Sequence, residues 1–97
     1  MVIEKYFSLR GQCALVTGGG NGIGKAICRL YAEFGADIAC TDLNVEDAEL
    51  VADECRKLGV RAIAAKCDVT SEGDRKRVVE LALSQLGKIS ILVNNAG

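Results

Sequence analysis

The chain has 97 residues, 49% of them apolar, enough for one small domain with a packed core and not for two. Twelve basic residues stand against thirteen acidic ones, so charge gives no reason to propose nucleic acid or an anionic membrane as a partner. No run approaches the roughly 18 apolar residues of a membrane helix, residues 1–6 lack the order of a secretory signal, and the expected compartment is the cytoplasm.

Residues 13–17, Cys-Ala-Leu-Val-Thr, form a short apolar run ended by glycines, the pattern of a buried strand. From Gly22 the apolar residues Ile23, Ile27, Leu30 and Phe34 recur at helical spacing, and Gly35 is a natural stop. Residues 37–41 read as a second strand. Asn44 caps a second helix with Asp47 placed for a reciprocal bond; Ala48, Val51, Cys55 and Leu58 are its apolar stripe and Gly59 ends it. Residues 61–66 read as a third strand. Ser71 and Asp74 repeat the capping arrangement before a third helix with Val78, Val79, Ala82, Leu83 and Leu86 on its apolar side and Gly87 at its end. Residues 89–93 close the series as a fourth strand.

The order βαβαβαβ predicts a parallel sheet with helices on both faces, because parallel crossovers are right-handed and each needs a covering helix. The strands are apolar almost throughout, as burial on two sides requires. There is no proline, linker or low-complexity segment, and residues 1–97 read as one unit. The run Arg75, Lys76, Arg77 reads as a solvated helix face. Five cysteines (Cys13, Cys28, Cys40, Cys55, Cys67) are odd in number, lack C-x-x-C spacing and have no histidine beside them. They read as small core residues of a reducing compartment, and no metal site is expected.

The turn after the first strand is Thr17-Gly18-Gly19-Gly20-Asn21-Gly22-Ile23-Gly24. Gly18 allows a sharp turn, Gly22 removes a side chain where a pyrophosphate must approach, and Gly24 allows the helix to pack tightly on the sheet. The first amides of that helix and its dipole favour an anion. Its place after a strand and before a helix is the context a dinucleotide site requires.

Asp42 ends the second strand, where a carboxylate can accept hydrogen bonds from the adenosine ribose hydroxyls. It would repel a 2'-phosphate by about 1–4 kcal/mol per unit charge. Asn21 stands where a basic residue could offset that, so NAD is expected over NADP. The alternative is that Asp42 only caps the loop before the second helix. Asp68-Val69 and Asn94-Asn95-Ala96-Gly97 follow the third and fourth strands, at the carboxyl ends where such sheets bind ligands. Asp68 can accept from an adenine amino group, and the Asn95 backbone and Gly97 let the chain pass close to adenine and ribose.

In this order and spacing, the glycine turn, the strand-two acid, Asp-Val and Asn-Asn-Ala-Gly resemble the short-chain dehydrogenase/reductase family over residues 9–97. Within it, Gln12-Cys13-Ala14, residues 67–72 and Leu86-Gly87-Lys88 are similar to the branch of bacterial 7-alpha-hydroxysteroid dehydrogenases. The resemblance implies a Rossmann doubly wound sheet of strand order 3-2-1-4. It implies a nicotinamide cofactor lined by Gly18, Asn21, Gly22, Ile23, Gly24, Asp42, Leu43, Asp68, Val69, Asn95 and Gly97. It implies hydride transfer with a secondary alcohol or ketone, and a homo-oligomer at full length. The family's catalytic Ser, Tyr-x-x-x-Lys and Asn are expected beyond position 97. Tyr6 and Tyr31 have Arg10 and Gly35 four residues on and do not substitute for them. The chain is therefore expected to be a cofactor-binding portion without catalytic residues. Two alternatives stay open: a non-catalytic module that binds NAD or a full-length relative, and a related domain for another adenine ligand.

Overall fold

The computed structural model describes residues 8–96; Tyr6 and Gly97 lie outside them. In chain order the elements are β1 (Cys13–Thr17), α1 (Gly22–Glu33), β2 (Asp37–Asp42), α2 (Val45–Lys57), β3 (Ala62–Lys66), α3 (Glu72–Leu86) and β4 (Ile91–Asn94). The four strands form one parallel sheet, as the alternation predicts, in the order β3-β2-β1-β4 that the family resemblance implies. The register aligns the carboxyl ends: Thr17 lies opposite Thr41 and Asn94, and Asp42 opposite Lys66. The loops that follow β1, β2, β3 and β4 therefore meet along one edge.

Strand side chains alternate between two cores. On one face Ala14, Val16, Ile38 and Cys40 pack under α1 and α2, against Cys28, Ala32, Ala48, Val51, Ala52 and Cys55. On the other, Cys13, Leu15, Ala39 and Ala65 pack under Val78, Ala82 and Leu86 of α3. Most of these side chains are Ala, Cys or Val. Small residues let the helices lie close to the sheet, which sets where the loops at its carboxyl edge can go.

Four details depart from the sequence expectation. The buried line of α1 is Gly24, Cys28 and Ala32, while Ile27 is half-buried and Ile23 and Leu30 are exposed. The helix turns its narrow side to the sheet because only small residues fit there. Leu58 follows the last turn of α2 and is exposed, and Ala52 takes its place in the stripe. Val79 and Leu83 of α3 are also exposed. The fourth strand begins at Ile91 and includes Asn94, because the Ser90 hydroxyl and amide are engaged with the Cys13 backbone before pairing starts.

Both capping residues hold: Asn44 Oδ1 accepts from the Asp47 N–H and Ser71 Oγ from the Asp74 N–H. The reciprocal half of each box goes elsewhere. The Asn44 N–H donates to Asp42, and the Asp74 carboxylate accepts from the Asp68 N–H at 2.9 Å. The Arg75-Lys76-Arg77 run is solvated, with Arg75 and Arg77 reaching back to the Val69 and Lys66 carbonyls.

All five thiols are free and buried. Burial pushes Cys55 up to about 11, and raises Cys13 and Cys67 as well. A hydrogen bond with Cys28, then burial, raises Cys40. The protonated thiol is thus favoured in the folded chain. That contribution is complete below the ordinary thiol value of 9.0 and is lost as pH rises through the folded values. Urea midpoints should fall between pH 9 and 11, and Cys55→Ala should flatten that slope. At pH 8 the native thiols should resist iodoacetamide under conditions that label the urea-unfolded chain.

Among the described residues β4 pairs only with β1, and α3 packs on β3, β2 and β1 without reaching it. Leu92, on the α3 side, is 65% exposed beside a cleft of about 430 Å³ lined by Leu15, Val69, Val78 and Val79 among others. An apolar parallel edge left bare favours association. Sedimentation should therefore find the 97-residue chain self-associated, and Leu92→Lys should shift it toward monomer.

Candidate cofactor-binding site

The glycine turn is fastened at both flanks. Gly18 has φ +65, the left-handed region that a sharp turn off the strand demands. The Gly19 N–H donates to the Thr41 carbonyl at 2.9 Å and the Gly20 N–H to Asp42 Oδ2 at 3.0 Å, so the turn leans on the end of β2. On the other side Asn95 Nδ2 donates to the Gly18 carbonyl at 3.1 Å. The Thr17 hydroxyl accepts from the Asn95 and Ala96 N–H groups, both at 3.1 Å, which ties the end of β4 to β1.

Gly24 does what its spacing predicts, with a more specific contact. A Cβ there would collide with the Gly18 carbonyl and the Asn95 amide, so α1 begins flush against the turn. Gly22 differs: its φ is +59 and a Cβ would meet nothing within 4 Å. Its open side is a cradle that a phosphate can enter. Asn21 precedes the helix in extended conformation and makes no side-chain cap, and α1 has no acidic residue in its first turn. α2 and α3 have both. The first amides of α1 are thus the ones left for an external anion, and the helix dipole adds to the attraction.

Asp42 performs two tasks at once. Its Oδ2 takes the Gly20 N–H, and its Oδ1 takes the Asn44 N–H at 3.0 Å. The loop-capping role is therefore real. It does not exhaust the carboxylate, whose two oxygens offer about four acceptor positions. Asp68 likewise accepts from the Thr70 N–H at 2.9 Å and the Thr70 hydroxyl at 2.6 Å. These bonds, the hydroxyl's first, hold its carboxyl below the ordinary 3.8. Val69 is half-buried behind it. Ile23 and Leu43 are exposed apolar side chains, 73% and 63%, one on the first turn of α1 and one directly after β2. Their exposure is the kind a flat heterocycle can cover. Thr17 and Gly20 were not readable as site residues, since their partners lie on other loops, while Thr70 and Asp74 bond locally to Asp68 and add no pattern of their own. Among the described residues no group of three or more His, Cys, Asp or Glu side chains is placed to hold a metal ion.

The profile of the family described as short chain dehydrogenase matches residues 12–97. The chain belongs to that family. It is 47% identical over 89 residues to a 7alpha-hydroxysteroid dehydrogenase of Escherichia coli (strain K12), covering 92% of this chain and 35% of that protein. It is 39% identical over 97 residues to a cyclohexanol dehydrogenase of Acinetobacter sp. (strain SE19), covering 98% and 39%. Among solved structures, a 7 alpha-hydroxysteroid dehydrogenase complexed with NADH and 7-oxo glycochenodeoxycholic acid superposes with a TM-score of 0.90 at 47% identity. That match covers 93% of this chain and 35% of the other. A short-chain type dehydrogenase/reductase from Mycobacterium marinum gives 0.89 at 38% identity, covering 94% of this chain and 36% of the other. The chain spans a little over a third of the length of these relatives. Among the described residues no helix is long and apolar enough to cross a membrane.

Two substitutions test the fastening. Asn95→Ala should cost about 1–2 kcal/mol, the loss of a partly buried hydrogen bond that leaves the Gly18 carbonyl unpartnered. Gly24→Ala should cost about 3 kcal/mol, because backbone must move to admit the methyl group. Urea denaturation measures both; an unchanged midpoint for Gly24→Ala would show that α1 does not rest on the turn.

Proposed function

We propose that this chain is the NAD-binding portion of an oxidoreductase that moves hydride between nicotinamide and a secondary alcohol or ketone. The observation that carries the reading is the pairing of the uncapped N-terminus of α1 with the Asp42 carboxylate, joined through Gly20. One suits a pyrophosphate and the other a ribose diol. Gly18, Asn21, Gly22, Ile23 and Gly24 take the phosphate side. Asp42 and Leu43 take the ribose. Asp68, Val69 and Asn95 take the adenine and its ribose, joined by Gly97 outside the described residues.

The bound nicotinamide supplies the carbon that gives or takes hydride. The residues of this chain bind and orient the cofactor. Hydroxysteroids are the substrate class we propose, because the relative bound to NADH also holds a 7-oxo steroid and is 47% identical. The same reading has the working enzyme as a homo-oligomer in the cytoplasm, free of nucleic acid and membrane.

Asp42 gives the reading a negative charge where NADP would carry its extra phosphate. NAD should bind the wild-type chain more tightly than NADP in calorimetric titration. Asp42→Asn keeps an acceptor and removes the charge, so it should narrow the preference. Asp42→Ala should weaken NAD about tenfold or more, the worth of charge-assisted bonds. A preference unmoved in both variants would refute the assignment.

A further inference from the structure

Gly20 occupies the second x of the T-G-x-x-x-G-x-G pattern, a position to which the spacing assigns no duty. In the fold it is buried between the end of β2 and the first turn of α2. A Cβ there would sit 2.9 Å from Asp42 Oδ2, 3.0 Å from Asp42 Cγ and 2.9 Å from Asp47 Cβ. Its φ is not in the left-handed region, so the backbone itself would accept any residue. What excludes a side chain is contact alone.

The contacts are unequal. The Asp42 carboxylate is the end of a side chain and can swing. The Asp47 Cβ is fixed to α2 and can move only with the helix. A methyl group at position 20 is therefore accommodated first by expelling the Asp42 carboxylate from its seat on the Gly20 and Asn44 N–H groups. Those two N–H groups are what aim the carboxylate toward the ribose position.

We infer that Gly20 is a specificity-determining residue: its missing side chain is what allows Asp42 to be held where it selects the unphosphorylated ribose. The inference deepens the proposed NAD reading and rests on it for its ligand. Gly20 is a positioning residue here; Asp42 makes the contact.

The test is a double-mutant cycle on the 97-residue chain, titrated with NAD and with NADP. Gly20→Ala should reduce the NAD-over-NADP preference about tenfold, mostly by weakening NAD. In an Asp42→Ala background the same change should leave the preference where Asp42→Ala alone puts it. The amide resonance of Asn44, which reports the Asp42 seat without any ligand, should move in Gly20→Ala. Adding Asp47→Gly removes the contact on the helix side, so the carboxylate's displacement can be read even if Gly20→Ala alone fails to fold. Folded Gly20→Ala with the wild-type preference, additive effects of the two substitutions, or an unmoved Asn44 amide would each overturn the inference. A wild-type chain that binds NAD no better than NADP, with the Asn44 amide moving as expected, would overturn the cofactor reading and leave the seat itself established.

Discussion

The carbonyl of Gly18 is the point on which the carboxyl edge of the sheet is assembled. It accepts the Asn95 amide, and Gly24 lies against it with no side chain between. One contact fixes the end of β4 and the other fixes the start of α1. The Thr17 hydroxyl beside it gathers the Asn95 and Ala96 N–H groups. With these held, the open side of Gly22 and the uncapped amides of α1 face outward from a rigid base. Preorganisation of that kind spares a ligand the cost of ordering the loop.

The interior serves the same end by being small. Gly24, Cys28 and Ala32 let α1 lie close on β1 and β2, and Ala48, Ala52 and Cys55 do so for α2. Free cysteines act here as compact apolar residues, slightly larger than alanine and buried without thiolate character. Larger apolar residues such as Ile23, Leu43 and Leu92 stand outside that core. Ile23 and Leu43 flank the glycine turn and Asp42. Leu92 lies on the side of β4 that α3 leaves bare.

Carboxylates along the carboxyl edge of the sheet, at the end of β2, on the loop after β3 and on the first turn of α3, each hold a loop. Asp42 holds the Gly20 and Asn44 amides, Asp74 holds the Asp68 amide, and Asp68 holds Thr70. A carboxylate with backbone N–H partners is held in a fixed aim. The loops at this edge are thus stiffened by their own carboxylates.

The alternation of apolar runs with capped helical segments determined the parallel sheet, because a βα unit permits few other arrangements, while the strand order came only with the family resemblance. The meeting of the glycine turn, Asp42 and Asn95 at one edge was legible for the same reason: strand ends in such a sheet converge. Facing was not legible. Ile23 and Leu30 stand exposed on α1, while the sheet fully buries Gly24, Cys28 and Ala32 and takes Ile27 only at the margin, since hydrophobic period says nothing of the gap a helix must fit. Nor was the competition for the caps. Asp47 and Asp74 sit at the spacing of reciprocal caps, but residues of the same preceding loop enter those bonds: Asp42 takes the Asn44 N–H, and Asp74 turns to the Asp68 N–H. Gly20 carried no signal because what crowds its missing side chain is Asp42, 22 residues away along the chain and hydrogen-bonded to it in the fold, together with the Asp47 Cβ. Local pattern decides which elements form, and the distances between them decide which atoms meet.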